Sequence, residues 1–152
     1  MQSNPSFYAK TAAISLLSCG LLTSAYAQSF PIEGVWTTEK GDSKIQFYKA
    51  GGSYAAKLIW FSPRHGEDMQ TKKDKRNPSE ALRNRLLLGI NIVTGLRYAE
   101  KNDYEDGKAY DPSSGKTYSC KVTVNSSNQL TMRGFVGFSL IGKSVIWKRV
   151  SN

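Results

Sequence analysis

Cysteine and histidine are nearly absent: 152 residues contain two Cys and one His. His65 and Cys120 each stand alone, with no Cys or His pair at ligand spacing, so a zinc site or a Cys–His nucleophile pair would have one candidate of each type, in unrelated segments, and neither is expected. A Ser–His–Asp triad would have to use His65, and no serine sits in a nucleophile elbow. Acids are scarce, 12 against 21 Lys plus Arg. The carboxylates a glycosidase would pair, Asp68 with Asp74 or Asp103 with Asp106, fall in polar, loop-like stretches that would not raise a pKa. Gly115-Lys116-Thr117 lacks the glycine that a phosphate loop places five positions earlier, since residue 110 is Tyr. No metal, no cofactor and no enzymatic activity are therefore expected. Repeats and low-complexity tracts are missing too.

Long apolar runs are limited to one, about Thr11 to Leu22, interrupted by Ser15, Ser18, Cys19 and Gly20. It falls short of the ~20 apolar residues of a membrane-spanning helix. Preceded by Lys10 and followed by Ala25-Tyr26-Ala27, it reads as a secretory signal peptide over residues 1–27, cleaved after Ala27. That implies export from the cytoplasm. A minor alternative makes Leu16-Leu17-Ser18-Cys19 a lipoprotein box with Cys19 acylated. Cleavage removes one lysine and no acid, so +9 becomes +8 over 125 residues. It also leaves Cys120 as the only thiol, so no disulfide framework can hold the fold. Cys120 reads as a small buried hydrophobe.

What is present is alternation. Lys44–Lys49 puts Ile45 and Phe47 on one face, and Ser53–Phe61 puts Tyr54, Ala56, Leu58 and Trp60 on one face. Gly51-Gly52 between them marks a hairpin turn. Lys116–Val124 sets Tyr118, Cys120, Val122 and Val124 against polar residues, and Leu130, Met132, Gly134 and Val136 share a face after the polar loop Asn125–Asn128. Gly34–Glu39, a short segment near Gly107–Tyr110, and Lys143–Val150 complete seven or eight strands. These predict one all-β domain over 28–152 that must close into an antiparallel barrel or sandwich to protect its edges, and of the two a barrel of about eight strands, for which Gly34-Val35-Trp36 and Arg149 speak, is expected. The middle is different: residues 62–78 are nearly devoid of apolar side chains and read as a surface loop, followed by a two-turn helix over Ser79–Leu87 with Leu82 and Leu86 on one face.

Lys72, Lys73, Lys75 and Arg76, with Arg83 farther on, concentrate positive charge suited to anionic lipid head groups rather than nucleic acid. Asp74 either caps the turn before Asn77-Pro78 or pairs with Arg83, and Asn77 and Arg83 join the basic residues as rim contacts. Asp111 in Tyr110-Asp111-Pro112 is expected to bond its own turn. Arg133 lies on the surface, or inside the barrel if Gly134 forms a bulge; a buried Arg would require an anion.

Gly34-Val35-Trp36 on the first strand and Arg149 two residues after Trp147 on the last resemble the lipocalin-like (calycin) barrels. That resemblance implies that Trp36 closes one barrel end with Arg149 over its face. More specifically, the chain resembles the secreted bacterial family catalogued as domain of unknown function 2147. The match rests on Gly34–Trp36, Asp74, Asn77-Pro78, Arg83, Gly89, Gly107, Tyr110-Asp111-Pro112, Gly115–Tyr118, Cys120, Arg133-Gly134, Gly137, Gly142 and Trp147, over roughly residues 32 to 150. It implies a Gram-negative periplasmic barrel and no known activity. The leading expectation is a monomeric, non-enzymatic protein holding a small apolar or amphipathic ligand in the barrel mouth, lined by Tyr54, Leu58, Trp60, Tyr118, Val122 and Met132, with Arg133 as an anion contact. The alternative is a side-chain-filled barrel docking an anionic surface or partner through its basic loop.

Overall fold

The computed structural model describes residues 29–63, 66–137 and 141–150. The signal peptide, Cys19, Arg64 and His65 lie outside the described residues. Eight antiparallel strands close a barrel, each paired with its neighbours in sequence and the last with the first. They are β1 Gly34–Thr38, β2 Ser43–Ala50, β3 Ser53–Phe61, β4 Asn91–Tyr98, β5 Asp103–Asp111, β6 Lys116–Ser126, β7 Gln129–Phe135 and β8 Gly142–Arg149. Closure leaves no edge to template another chain. Alternation then sends Trp36, Ile45, Phe47, Ala56, Cys120, Val122, Val124 and Leu130 into a continuous core. Cys120 is fully buried, and burial pushes its thiol up to about 12.

Bulges decide which side chains enter. In β3, Leu58 faces Ile45 while Trp60 faces Lys44, so Ile59 is the extra residue. Beyond it the faces exchange: Phe61 points inward and Trp60 outward, with the Lys44 ammonium 5.4 Å from its ring centroid. In β4, Val93 and Leu96, three residues apart, are both fully buried because Gly95 bulges at φ +73°. Gly107 on β5 is required by close approach, since a Cβ there would meet Leu96 at 2.6 Å and Cys120 Sγ at 2.7 Å.

Three local expectations are corrected. The helix over Ser79–Leu87 shrinks to one 3-10 turn, Glu80–Leu82, with Leu82 and Leu86 40% and 47% exposed. Its second half instead pairs back on residues 72–74: Asp74 N donates to Arg85 O and Leu87 N to Lys72 O, bonds that compete with helical ones. The loop Asn125–Asn128 is only a tight turn, because β6 runs through Ser126. Strand β4 was not anticipated, and β5 extends well beyond Gly107–Tyr110.

Candidate ligand cavity

One end of the barrel is stoppered. Trp36 is fully buried and its Nε1 donates to Ile32 O at 2.8 Å. The Arg149 guanidinium stacks 4.1 Å from the Trp36 ring centroid and donates to the carbonyls of Pro31, Glu33 and Ser127 at 2.6 Å each. Three carbonyls fix the plane of the cation, and its face then covers the indole. Above this plug the interior is filled: Tyr54 meets Tyr104 edge-on at 5.1 Å, and Val122 is paired opposite Tyr104. Tyr104 is itself buried, which raises its phenol to about 12.

The other end opens into a cavity of about 1280 Å³. Its wall is apolar: Leu58 and Phe61 from β3, Ile92 from β4, Ala109 from β5, Tyr118 from β6, Met132 from β7, and Val145 and Trp147 from β8, with Leu87 from the long loop. Its mouth carries Lys72, Lys73, Lys75, Arg76 and Lys143 alongside Asp42, Glu67, Asp68 and Asp111. Most of these charges are engaged. Lys72 is ion-paired with Glu67, Arg76 donates to Ser113 O, and Lys75 reaches Asn84 Oδ1 at 3.4 Å. Asp42 accepts from Thr38 Oγ1 at 2.5 Å. Asp111 bonds its own turn through Ser113 and Ser114; burial would raise its pKa, yet these donors hold it below the usual carboxylate range. Lys73 and Lys143 have no side-chain partner among the described residues, so the mouth presents two free cations.

The basic loop therefore borders the cavity instead of standing free in solvent. A buried clamp holds it there. Asp74, only 1% exposed, accepts from Asn77 Nδ2 (2.8 Å), Arg85 Nε and Nη2 (3.0 and 2.9 Å) and Tyr110 OH (2.5 Å). Burial would raise the Asp74 pKa, but the bonds from Tyr110, Asn77 and Arg85 and the Arg85 charge outweigh it and hold the carboxyl below its ordinary range. The same contact, added to burial, raises the Tyr110 phenol. Arg83, the expected partner, bonds Asn77 O and Glu80 instead. Gly115 lets the clamp seat: at φ +73° it lies so close to Arg76 that a Cβ would fall 1.9 Å from Arg76 O.

Of the residues expected to line a ligand site, the structure places Leu58, Tyr118 and Met132 on the cavity wall and Lys72, Lys73, Lys75 and Arg76 around its mouth. Tyr54 and Val122 belong to the packed half below, and Trp60 is on the outer face. Arg133 is also outside, paired opposite Lys121 and Ser144 and 3.3 Å from Ser144 Oγ, because β7 pairs in unbroken register through Gly134 and no bulge turns it inward. An interior anion site at Arg133 is thereby removed. Phe61, Ile92, Val145 and Trp147 were missed: Phe61 needs the β3 bulge, Ile92 lies on the unanticipated strand, and the two β8 residues stood in an alternating run that could have been assigned.

Residues 34–149 match the family model described as an uncharacterized protein conserved in bacteria, DUF2147. The chain belongs to this family. A solved structure of HP1028 from Helicobacter pylori, described as belonging to the lipocalin family, is similar to this DUF2147 chain: 32% identity over 82% of this chain and 86% of that one, TM-score 0.72. Among curated proteins, none matches. The closed eight-strand antiparallel barrel of this DUF2147 chain is thus lipocalin-like.

Proposed function

We propose that this protein binds a small apolar or amphipathic molecule in the open half of its barrel, as an exported periplasmic binding protein and not an enzyme. The cavity carries the reading: about 1280 Å³, walled by Leu58, Phe61, Tyr118, Met132, Val145 and Trp147, with a plug below. Ligand pockets have this composition, mostly apolar and aromatic with few placed polar groups. The lipocalin likeness of HP1028 supports a binding fold, and export rests on the leader in residues 1–27. Free Lys73 and Lys143 at the mouth suit the polar or anionic end of an amphiphile.

Titration with the fluorescent apolar anion 1-anilinonaphthalene-8-sulfonate tests this. Leu58→Trp and Met132→Trp, which fill the cavity, should each weaken binding by about tenfold or more, while Trp60→Ala on the outer face leaves it unchanged. Equal binding by all four proteins would overturn the assignment of the site. Salt, applied with a neutral apolar probe in place of the anion, separates it from docking through the basic loop: cavity binding of the neutral probe changes little between low and physiological ionic strength, whereas surface docking on anionic vesicles falls steeply.

A further inference from the structure

Among the described residues, one buried side-chain polar atom has no hydrogen-bond partner, and it belongs to a residue of the cavity wall. Trp147 is 5% exposed and lines the cavity, and its Nε1 is buried with no hydrogen-bond partner. The indole N–H is a donor only, so it can be satisfied solely by an acceptor. Trp36 shows what the same barrel does elsewhere: its N–H, equally buried, is given Ile32 O. A buried donor left unmade is costly, and such groups in native proteins call for an explanation.

We infer that the ligand carries an uncharged hydrogen-bond acceptor at its buried end, a carbonyl or hydroxyl oxygen that receives the Trp147 indole N–H. This rests on the cavity being a ligand site. The surroundings choose the charge. Val145 and Met132 flank Trp147 on the wall, and its cross-strand partners are Leu130 on β7 and Thr38 on β1, whose hydroxyl is engaged with Asp42; none carries a positive charge to neutralise an anion. Lys143, the nearest wall cation on the same strand, is four residues away, about 13 Å along it. A carboxylate pushed to that depth would be buried unpaired, which is far more costly than burying a neutral oxygen. The ligand therefore sits with its neutral oxygen at the bottom and any charged end at the Lys73 and Lys143 mouth. Reaching the sealed N–H takes a small shift of the wall, which Met132, unbranched and diagonal to Trp147 across the β7–β8 pair, is suited to make.

Two probes of nearly equal shape test the idea: 9-fluorenone, which has a ketone, and fluorene, which lacks it. Their affinity ratio is measured in the wild-type protein and in Trp147→Phe, so that differences in hydration cancel. The ketone preference should fall about threefold to tenfold in the variant, the range of one net hydrogen bond. In the wild type, the Trp147 indole proton should move downfield in the NMR spectrum with fluorenone and not with fluorene, while the Trp36 and Trp60 signals stay. That second measurement decides the matter even if Trp147→Phe fails to fold. An unchanged ratio, or an indole signal indifferent to the ketone, overturns the inference and leaves the cavity reading standing. Failure of both probes to bind the wild type overturns both.

Discussion

Replacing Asp74 with alanine removes the one acceptor toward which Asn77, Arg85 and Tyr110 all point. Breaking a buried ion pair by deleting one partner costs about 3–5 kcal/mol. Arg85 keeps 35% of its side chain exposed and can rehydrate, which places the expected cost near the lower figure, about 3 kcal/mol. The barrel ladder does not pass through this loop, so the loss should appear as local opening and not as global unfolding. At roughly 1.4 kcal/mol per decade, hydrogen exchange at the amides of Asp74 and Leu87, which bond Arg85 O and Lys72 O, should accelerate by about 100-fold. Amides of β6 and β7 should exchange as before. Trypsin should cut at Lys72–Arg76 correspondingly faster, and Asp74→Asn, which keeps one acceptor oxygen, should fall between. Unchanged protection in the loop would refute the clamp; an equal loss across all strands would show that Asp74 supports the barrel itself.

Acid should act on the same clamp. Because the folded Asp74 carboxyl titrates below its unfolded value of about 3.9, its contribution is complete above that value and disappears as pH falls through the lower folded one. Loop amide signals should then change below about pH 4 with the strands intact; a midpoint above pH 5 would contradict this. At the plug, Arg149→Met deletes the cation over Trp36 and three carbonyl contacts, about 3 kcal/mol together, and should lower Tm by roughly 10 °C. Arg149→Lys should recover less than half, because one ammonium cannot span three separated carbonyls; full recovery would mean that charge alone matters.

The sequence made the regular parts of this molecule legible and concealed its irregular ones. Ser53–Phe61 could be bounded correctly because its apolar run starts after the turn glycines and ends before a polar loop, and the pairing of Trp36 with Arg149 was available only through the resemblance to calycin barrels. The face of Trp60 was not readable, since one extra residue at Ile59 inverts everything after it and bulges leave no compositional mark. Strand β4 hid for a related reason: Gly95 breaks the period of two just where Val93 and Leu96 turn inward. The loop seemed solvated because its charges dominate the composition, yet its position follows from a single buried aspartate whose partners, Arg85 and Tyr110, come from two separate segments. The cavity wall could be drawn only in part, because Phe61 and Leu87 reach it through irregular backbone.

The strand order has a consequence for how the molecule assembles and fails. Seven of the eight pairings join neighbours along the chain; six of them are hairpins with short turns that close at small entropic cost, and the seventh, β3 with β4, closes the long loop over residues 62–90. Only β1 with β8 must meet across the whole domain, through three residue pairs, Trp36 with Arg149 among them. This seam is where a curled but unsealed sheet would still expose two ready edges to another chain. The clasp of Arg149 on Trp36 thus stands on the one junction that no pair of sequence neighbours makes, and its ring contact and carbonyl bonds add to sealing it.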